Sequence, residues 1–521
     1  MTSLTTMLLT VMLVNCFCER LASSKDYSEP VEKIFNKIQM TKNETELDKI
    51  SESKNPTFTA VIEKICGKPD KSLIKNKQDE KLILGKGGFG TVLNLEINES
   101  RKAVKQVNLF AMAWEYVESS ANASKKALEA CKNDLTKRIA TQMAKFEKEN
   151  ELETKIVDIV RGAVKDQNEC SALDESFKSY IKKLAPSIQY EIEVISELSD
   201  DSRKDEQIKA FPIIDKCFID DNFKIYFVGE KLGADLSLVL KACQYRPLYE
   251  DRAGRMVELA LEAMLLVHTL HTKGKHHCDL KPSNIMFTNK LMHSLKLIDF
   301  SLVSAKTSEC RGGTVGFIPV DDKRVKTKEE MTNAKLRADF NKRHDHFALG
   351  MTLLEVFVGP EDPLFKTLKK QAAGFAGSNV DWVTDGNSFV NQLHAITTRK
   401  KEEIKKYENK EDLRNSLTIE YLMLSIAAWM TYFDDQVRIS TQTGLYLTHQ
   451  LYAYYNSEGR KSKSQFYKDH FEDKKKLKLK SEESAWIEEV KKTVVEFRKS
   501  KAKQYQKYME AASQNNKEII I

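Results

Sequence analysis

The spacing of apolar residues changes several times along the chain. From about residue 80, the stretch KLILGKGGFGTVLNLEINESRKAVKQV alternates short apolar runs with a glycine cluster, which is typical of strands joined by tight turns. Residues 108–185 are highly charged and place apolar residues three or four positions apart, which predicts helices. A pattern typical of strands returns at 211–230, and the pattern beyond 250 is mostly helical. This order predicts a small β-rich part followed by a larger α-rich part.

Two amphipathic stripes accompany this pattern. The first consists of Leu128, Cys131, Leu135, Ile139, Met143 and Phe146. The second follows the lysine run DKKKLKLK and consists of Trp486, Val490, Val494 and Phe497. Each stripe forms one face of a helix, and we expect the first to pack on the main domain rather than to bind a ligand. Whether a protein partner binds this helical segment is a question that the sequence leaves open.

The N-terminus carries an apolar run from Met7 to Cys18. This run is shorter than the roughly 20 residues of a membrane-spanning helix, and no other run is long and apolar enough to span. Small residues at Ala22 and Ser24 predict a signal peptide cleaved near residue 24, although no Lys or Arg precedes the run. We therefore expect a secretory route, with a cytoplasmic protein as the alternative. N-glycosylation sequons that this route would use stand at Asn43, Asn98 and Asn122.

Charge and cysteine content narrow the function classes. The chain has 83 basic and 76 acidic residues, a net charge of +7, which is small for 521 residues. We expect no nucleic-acid partner, because mixed charges of this density usually line solvated helix faces. No CxxC occurs, so a zinc site is not predicted. The seven cysteines after residue 24 require at least one free thiol, and their spacing indicates no disulfide framework.

The glycine cluster has the spacing G-x-G-x-x-G at Gly85, Gly87 and Gly90. Dinucleotide-binding folds use the same spacing, but they place a helix directly after the glycines, whereas strand-like TVLNLEI follows here. A glycine loop between two strands lets the backbone approach phosphates closely. Lys105 follows in the apolar run Ala103-Val104-Lys105, where an unpaired lysine would be costly. We therefore predict a phosphate-binding loop with a lysine beside it.

The stretch HHCDLKPSN at residues 276–284 concentrates polar chemistry. Asp279, Lys281 and Asn284 supply a carboxylate, a cation and an amide, and LKLIDF ends an apolar strand with Asp299. Phosphoryl transfer needs one carboxylate to accept the proton of the attacking hydroxyl. It also needs a second carboxylate and an amide to hold Mg²⁺, and cations to neutralise the phosphate. These residues therefore predict a phosphotransferase.

These motifs together resemble the eukaryotic protein kinase family. LHTKGKHHCDLKPSN resembles that family's catalytic loop, and Asp299-Phe300-Ser301 its D-F-G. Residues 313–317 resemble the segment before its A-P-E, with Asp321 at the glutamate position and Arg438 as its expected partner. Residues 345–350 resemble the D-x-W-x-x-G helix start. The resemblance covers about 78–455 in family order and implies an α+β, bilobal fold with a β-rich N-lobe and a helical C-lobe.

The resemblance implies roles for individual residues, with ATP and Mg²⁺ as ligands. Asp279 would be the base, assisted by Lys281, while Asn284 and Asp299 would hold the metal. Lys105 would bind phosphates and pair with Glu191, or with Glu193, on helix C. The nucleotide would contact Leu84, Gly85, Lys86, Gly87, Gly88, Phe89, Gly90, Val92, Ala103, Lys105, Glu230, Leu232 and Asp235, with the small Gly229 guarding the back pocket.

Two positions depart from the family pattern. Cys278 replaces an arginine that often meets a phosphorylated activation loop, so we expect no such switch, and the cysteine is interpreted mainly as a small buried hydrophobe. Ser301 replaces the glycine of D-F-G, which predicts a restricted backbone. Lys281 resembles the Ser/Thr group, so we expect an active Ser/Thr kinase acting on protein hydroxyls. A pseudokinase scaffold is the alternative.

The predicted organisation has four parts. A signal peptide at 1–24 and a polar extension at 25–77 precede a kinase domain at 78–455. Because Lys105 and Glu191 lie 86 residues apart, residues 108–185 are expected to be a helical insertion before helix C, or an elaborated approach to that helix. A charged helical tail completes the chain at 456–521. The helical extension and the signal peptide loosely resemble, in architecture only, the secreted rhoptry-type kinases of parasitic protists.

Overall fold

A computed structural model gives the fold of the following residues: 83–87, 90–97, 100–120, 124–143, 152–164, 170–205, 208–219, 224–238, 252–288, 294–305, 310, 313–319, 334–374, 384–407, 409–432, 438–456 and 483–514. The predicted signal peptide, the polar extension, the three sequons, the lysine run and Gly88, Phe89, Phe146 and Asp321 lie outside these described residues. The chain divides into two compact units. The sheet unit comprises the described residues of 83–204 and Pro212–Lys231. The helical unit comprises those of Asp205–Phe211 and Leu232–Ile521.

The sheet unit is built on one five-stranded antiparallel sheet. Its strands are β1 (Ile83–Gly87), β2 (Gly90–Ile97), β3 (Ser100–Asn108), β4 (Ile214–Ile219) and β5 (Lys224–Glu230), in the order β1-β2-β3-β5-β4. The register places Lys105 between Val92 of β2 and Phe227 of β5. The alternation of apolar and polar residues in β3 buries Val104 while Lys105 points to the opposite face.

Four helices follow β3 in the same unit. They are α1 (Leu109–Ser120), α2 (Lys125–Met143), α3 (Leu152–Ala163) and α4 (Ser171–Lys204). The predicted stripe on α2 is confirmed, because Cys131, Leu135, Ile139 and Met143 are buried. They pack in one cluster with residues of β3 and β5, namely Val107, Ile225 and Phe227. The helices of 108–185 thus extend the core of the sheet unit, as expected.

The first correction to the sequence interpretation concerns the cysteines. Cys131 of α2 is bonded to Cys170, which directly precedes α4, and Cys278 is bonded to Cys310. The expectation of no disulfide framework was therefore wrong, because the partners lie 39 and 32 residues apart and no spacing rule links them. The prediction of a free thiol is confirmed at Cys217 of β4. Burial, and then the nearby Glu191, raise the pKa of this thiol to about 12.

The helical unit contains seven longer helices among its described residues. They are α5 (Arg252–Thr272), α6 (Ala334–Val358), α7 (Pro363–Gly374), α8 (Thr384–Lys406), α9 (Glu411–Met430), α10 (Thr441–Asn456) and α11 (Glu483–Gln514). Two small strand pairs lie beside α5, β6 (Lys275–His276) with β9 (Ser304–Ala305) and β7 (Ile285–Phe287) with β8 (Leu295–Leu297). No helix of the described residues has the length and apolar character required to cross a membrane.

The terminal helix α11 packs on α5, and rings of its predicted stripe also contact α10. Val490, Val494 and Phe497 are buried, and the ring of Trp486 meets that of Tyr446 edge to face. At its centre, the Arg498 guanidinium binds Glu262 of α5 and donates to the Ile208 carbonyl at 3.0 Å. Glu262 also accepts the Leu295 amide at 2.7 Å. The second stripe prediction is therefore confirmed, and the tail helix is part of the helical unit.

Candidate active site

The lysine predicted on β3 is paired within the sheet unit. Lys105 Nζ donates to Glu191 Oε1 at 2.7 Å, across 86 residues of sequence, and it also lies 5.6 Å from the Phe227 ring centroid. Glu191 is buried on α4, whereas Glu193 is exposed on the same helix. Because residues two positions apart on a helix face nearly opposite directions, only Glu191 reaches the lysine. The helix carrying Glu191 begins at Ser171, so the predicted boundary at 185 falls inside one continuous helix.

The predicted phosphate loop begins where β1 and β2 pair. Leu84, Gly85, Lys86 and Gly87 lie in β1, with Leu84 exposed, and Val92 and Ala103 are half-buried on β2 and β3. Gly87 pairs directly with Gly90, which opens β2. A Cβ on Gly90 would lie 2.2 Å from the Gln106 carbonyl oxygen, so only glycine permits this approach to β3.

The residues predicted to contact adenine and ribose divide between the two units. In the sheet unit, Glu230 accepts the Ile213 amide at 2.7 Å, and a Cβ on Gly229 would meet Ile214 Cδ1 at 2.7 Å. Gly229 therefore accommodates the packing of β4. In the helical unit, half-buried Leu232 precedes Asp235, whose Oδ1 accepts the Leu238 amide at 2.8 Å and caps the turn that follows.

In the helical unit, Asp345 of α6 fixes the backbone ahead of Asp279. Its carboxylate accepts the amides of His277 and Cys278 at 2.8 and 2.9 Å, and His271 Nε2 lies 2.8 Å from Oδ2. Burial would raise the pKa of Asp345, but the hydrogen bond and charge of His271 lower it well below its usual range. Cys278 has φ of +62°, a conformation that costs about 1 kcal/mol or more for a residue with a Cβ. The buried carboxylate thus holds this turn in a strained conformation.

His277 continues this support toward the predicted metal ligand. Its Nε2 lies 2.9 Å from the Ile298 carbonyl and its Nδ1 lies 3.3 Å from the Asp279 amide. Nε2 must donate to the carbonyl while Nδ1 accepts from the amide, which assigns the neutral imidazole with its proton on Nε2. The imidazole therefore links the turn of Asp279 to the residue that precedes Asp299.

Asp279 lies at the centre of a network of hydrogen bonds. Lys281 Nζ donates to Asp279 Oδ2 at 2.7 Å and to Thr314 Oγ1 at 2.7 Å. Asn284 Nδ2 donates to the Asp279 carbonyl at 2.8 Å and to Oδ2 at 3.2 Å. Thr314 donates both its amide and its hydroxyl to Oδ1, each at 2.7 Å. The carboxylate is buried and oriented by donors on both of its oxygens.

The two predicted metal ligands flank the β7–β8 hairpin. Asn284 directly precedes β7, and Asp299 follows β8 by two residues, while the Ile298 amide donates to the Asn284 carbonyl at 3.0 Å. The hairpin therefore brings both residues to one end of the strand pair. Ser301 donates to Asp299 Oδ1 at 2.9 Å. Asp299 has φ of +63°, whereas Ser301 is not among the described residues with positive φ, so serine causes no backbone strain there.

This donor set fits a divalent cation such as Mg²⁺. Mg²⁺ prefers oxygen ligands and is usually held by one or two carboxylates together with substrate phosphates. Asn284 uses its Nδ2 on Asp279, which leaves its amide oxygen for a metal, and Asp299 supplies a carboxylate. Within the described residues there is no group of three or more His, Cys, Asp or Glu that could hold a metal by itself. The cation would therefore need phosphate oxygens to complete its coordination.

The structure corrects the interpretation of Cys278 as a small hydrophobe. Cys278 is bonded to Cys310, both residues are buried, and the Ser304 hydroxyl lies 3.3 Å from Cys278 Sγ. Asn341 of α6 accepts the Cys310 amide at 3.1 Å and donates to Ser304 Oγ at 3.0 Å. The disulfide thus joins the turn before Asp279 to the chain segment that leads to Thr314.

Arg438 contacts other groups than the predicted carboxylate among the described residues. Its guanidinium donates to the carbonyls of Tyr432 and Arg343 at 3.0 and 3.1 Å, and it lies 5.1 Å from the Phe347 ring centroid. The expected partner Asp321 lies outside the described residues. The pairing of Arg438 with Asp321 therefore stays a prediction.

Two members of the network around Asp279 were assigned no role from the sequence. Thr314 was recognised only as part of the segment at 313–317, and Asp345 only as the start of a helix motif. Both are far from Asp279 in sequence, so no local spacing could link them to it. The polar surroundings of Asp345, Asn341 to His346, gave no sign that its carboxylate is buried.

Comparison with known families agrees with this geometry. A family model described as the protein kinase domain matches residues 156–449, which is more than half of the chain. The chain therefore belongs to the protein kinase family, and its α+β fold is that of the family. Membership implies a phosphotransferase that uses ATP, a divalent metal ion and a protein substrate. The strands β1 to β3, with Lys105, and the helices α1 and α2 precede the matched residues.

Proposed function

We propose that the chain is an active serine/threonine protein kinase that transfers the γ-phosphate of Mg·ATP to a protein hydroxyl. The observation that carries this proposal is the network around Asp279, in which Lys281, Asn284 and Thr314 orient a buried carboxylate. A residue that only packs would not need four polar donors on two oxygens. Orientation of a carboxylate toward an incoming hydroxyl is what proton acceptance during phosphoryl transfer requires.

In this proposal, each candidate active-site residue of the helical unit has one role. Asp279 orients the substrate hydroxyl and accepts its proton as the oxygen attacks phosphorus. Lys281 contributes positive charge beside the transferred phosphate, at a site where water screens the electrostatic attraction only weakly. Asn284 and Asp299 would hold the divalent cation, which when bound neutralises charge on the phosphates. The preference for Ser/Thr over Tyr is inferred from Lys281, which stands two residues after the base.

Residues of the sheet unit, together with Leu232 and Asp235 of the helical unit, would bind the nucleotide. Lys105, held by Glu191 at 2.7 Å, is positioned as a fixed cation for the α- and β-phosphates. The glycines at 85, 87 and 90 would let backbone amides approach the phosphates. Glu230, Leu232 and Asp235 are proposed to contact adenine and ribose, together with Leu84, Val92 and Ala103. Lys86, Gly88 and Phe89 complete the proposed phosphate loop.

A pseudokinase scaffold is the second candidate. The observation that favours it is the hydrogen bond from Ser301 to Asp299 Oδ1, which occupies an oxygen that a metal would use. A scaffold would retain the fold and the interaction surfaces without transfer. In either case the helical segment of 108–185 is a candidate surface for a protein partner.

Nucleotide binding and residue specificity distinguish these candidates. The full-length protein is titrated with ATP, with and without Mg²⁺, while its melting temperature is recorded. We expect a Mg²⁺-dependent rise that is reduced in Lys105→Met and in Asp299→Ala, with the exposed Lys182→Met as the matched control. Phosphoamino-acid analysis of a mixed peptide substrate should give phosphoserine and phosphothreonine. A nucleotide shift without any transfer would support the scaffold, and phosphotyrosine alone would contradict the Ser/Thr assignment.

We also propose that the protein follows the secretory route. The two disulfides support this proposal, because such bonds persist mainly in oxidising compartments. Peptide mapping of the protein from its native source tests it. Cleavage near residue 24 and glycans at the sequons are expected, whereas an intact Met1 with unmodified Asn43, Asn98 and Asn122 would favour the cytoplasmic alternative.

A further inference from the structure

The disulfide of the helical unit joins two segments that meet at Asp279. Cys278 directly precedes Asp279, and Cys310 lies four residues before Thr314, which contacts the same carboxylate. The disulfide and the hydrogen bonds of Thr314 therefore form a short closed ring of covalent and hydrogen bonds that includes the proposed base. Both sulfurs are buried, so solvent does not reach this bond directly.

The backbone at each cysteine is also held by a hydrogen bond to a side chain of α6. The Cys278 amide is held by Asp345 at 2.9 Å, and the Cys310 amide by Asn341 at 3.1 Å. Asp345 and Asn341 lie one helical turn apart on α6. One helix thus anchors both cysteines, and the disulfide locks the two anchored turns together.

The segment beyond Cys310 approaches Asp279 very closely. Gly313 has φ of +149°, and a Cβ on it would lie 2.7 Å from the Cys278 carbonyl oxygen. Any other residue at 313 would push the segment away from Asp279. Glycine at 313 and the disulfide at 310 therefore have the same consequence, which is to keep Thr314 against the carboxylate.

We propose that the Cys278–Cys310 disulfide is a covalent positioning device for Thr314 and Asp279. A chain segment in most proteins is held by reversible contacts and opens locally, whereas a cross-link removes the open states. The bond forms when the two cysteine thiols pass their hydrogens to a small-molecule disulfide, such as glutathione disulfide, which leaves as two thiols. The proposal deepens the proposed kinase function, since it concerns the orientation of the same base.

The bond itself is tested on the full-length wild-type protein. Free thiols are alkylated under denaturing conditions, the protein is digested without reduction, and the peptides are identified by mass spectrometry. We expect Cys278 and Cys310 in one cross-linked pair that separates only after reduction by dithiothreitol, which becomes a cyclic disulfide. Cys217 should be alkylated and serves as the internal control. Recovery of Cys278 and Cys310 as alkylated thiols from protein refolded with glutathione disulfide would overturn the proposal.

The positioning role is tested by amide hydrogen exchange. The double variant Cys278→Ser/Cys310→Ser is compared with wild type and with the matched variant Cys131→Ser/Cys170→Ser, which lacks the other disulfide. We expect exchange of the amides at 313–318 to become at least tenfold faster in the first variant and to stay unchanged in the second. Exchange in α6 reports whether the fold is intact. Unchanged exchange at 313–318 in a folded variant would contradict the proposal.

Kinetics separate positioning from general stability. The first double variant should show a fall in kcat of about tenfold, with the KM for ATP changed less than twofold, because Thr314 does not belong to the proposed nucleotide site. A parallel loss in melting temperature without a fall in kcat would overturn the positioning role. Absence of transfer in every form, wild type included, would refute the kinase proposal. Faster exchange at 313–318 would then still establish the tether.

Discussion

Thr314 donates both its backbone amide and its hydroxyl to the same oxygen of Asp279, each over 2.7 Å. The hydroxyl also accepts from Lys281 Nζ, so one side chain connects the cation to the carboxylate. A charged acceptor makes each of these bonds stronger than a bond between neutral groups. The segment at 313–319 therefore contributes directly to the orientation of the proposed base.

Removing the Thr314 hydroxyl should slow transfer. Thr314→Val keeps the shape of the side chain and the backbone donor but loses the hydroxyl's two hydrogen bonds with charged groups, to Asp279 and from Lys281. Each such bond is worth roughly 1.5–3 kcal/mol. We expect kcat to fall about tenfold or more in a radiometric transfer assay, and Thr314→Ser to retain most of the activity. Wild-type turnover in the valine variant would show that the hydroxyl has no part in orienting Asp279.

Ser301 is expected to orient the metal-binding carboxylate. Hydrogen-bond partners of a metal ligand usually change metal affinity by about 10–100-fold when they are removed. Ser301→Ala should therefore raise the Mg²⁺ concentration at half-maximal activity about tenfold, whereas Ser301→Thr should not. Mg²⁺ titration at saturating ATP measures this. A lower half-maximal Mg²⁺ concentration in Ser301→Ala would mean that the serine competes with the cation, which would favour the scaffold reading.

The buried histidines predict a loss of stability in acid. Burial lowers the pKa of His276 to about 4, with Asp345 opposing and His271 reinforcing the shift. Because the unfolded chain binds this proton at about pH 6.5, the free energy of unfolding should fall between pH 6.5 and 4, by about 3 kcal/mol from this group. Asp345, whose pKa is lowered in the folded state, also loses stabilisation as pH falls further.

Denaturant unfolding at pH 7 and pH 4.5 checks this prediction. His276→Phe should reduce the difference between the two pH values, because no proton is then taken up on unfolding at this position. The exposed His394→Phe is the matched control and should leave the difference unchanged. An equal difference in wild type and His276→Phe would assign the acid sensitivity to other groups.

The ion pair between Arg498 and Glu262 should hold the tail helix in place. Arg498→Met would leave Glu262 buried without its cation, which typically costs about 3 kcal/mol or more. The exposed pair Lys491–Glu488 offers the matched control, Lys491→Met, with an expected cost below about 1 kcal/mol. Urea unfolding of both variants measures the costs, and equal values would contradict the importance assigned to the buried pair.

Local spacing explains which features the sequence predicts well. Asp279, Lys281 and Asn284 lie within six residues, and Asp299 ends an apolar strand. Their chemistry can therefore be predicted from the sequence alone. The stripes on α2 and α11 follow from helical periodicity, and both are buried as predicted. The helical type of α2 and α11 is therefore encoded locally.

Long-range pairing explains what the sequence left unpredicted. Seven cysteines allow many pairings, and nothing in their spacing favours Cys278 with Cys310. The helical insertion and helix C form one helix, because the apolar period continues across residue 185, although Pro186 is a residue that predicts a helix end. Thr314 acts through a contact with Asp279 that depends on the positions of Gly313 and Cys310. Such contacts become visible only when the chain is folded.

The most direct measurement is transfer of labelled γ-phosphate by the wild-type protein and by Asp279→Asn, with Mg²⁺ and a mixed Ser/Thr peptide substrate. We expect transfer by the wild type and a loss of about a hundredfold or more in kcat for Asp279→Asn. The ATP-dependent rise in melting temperature should be retained, because the variant loses the proton acceptor and not the nucleotide site. Equal turnover by the two proteins would contradict the assignment of Asp279 as the base.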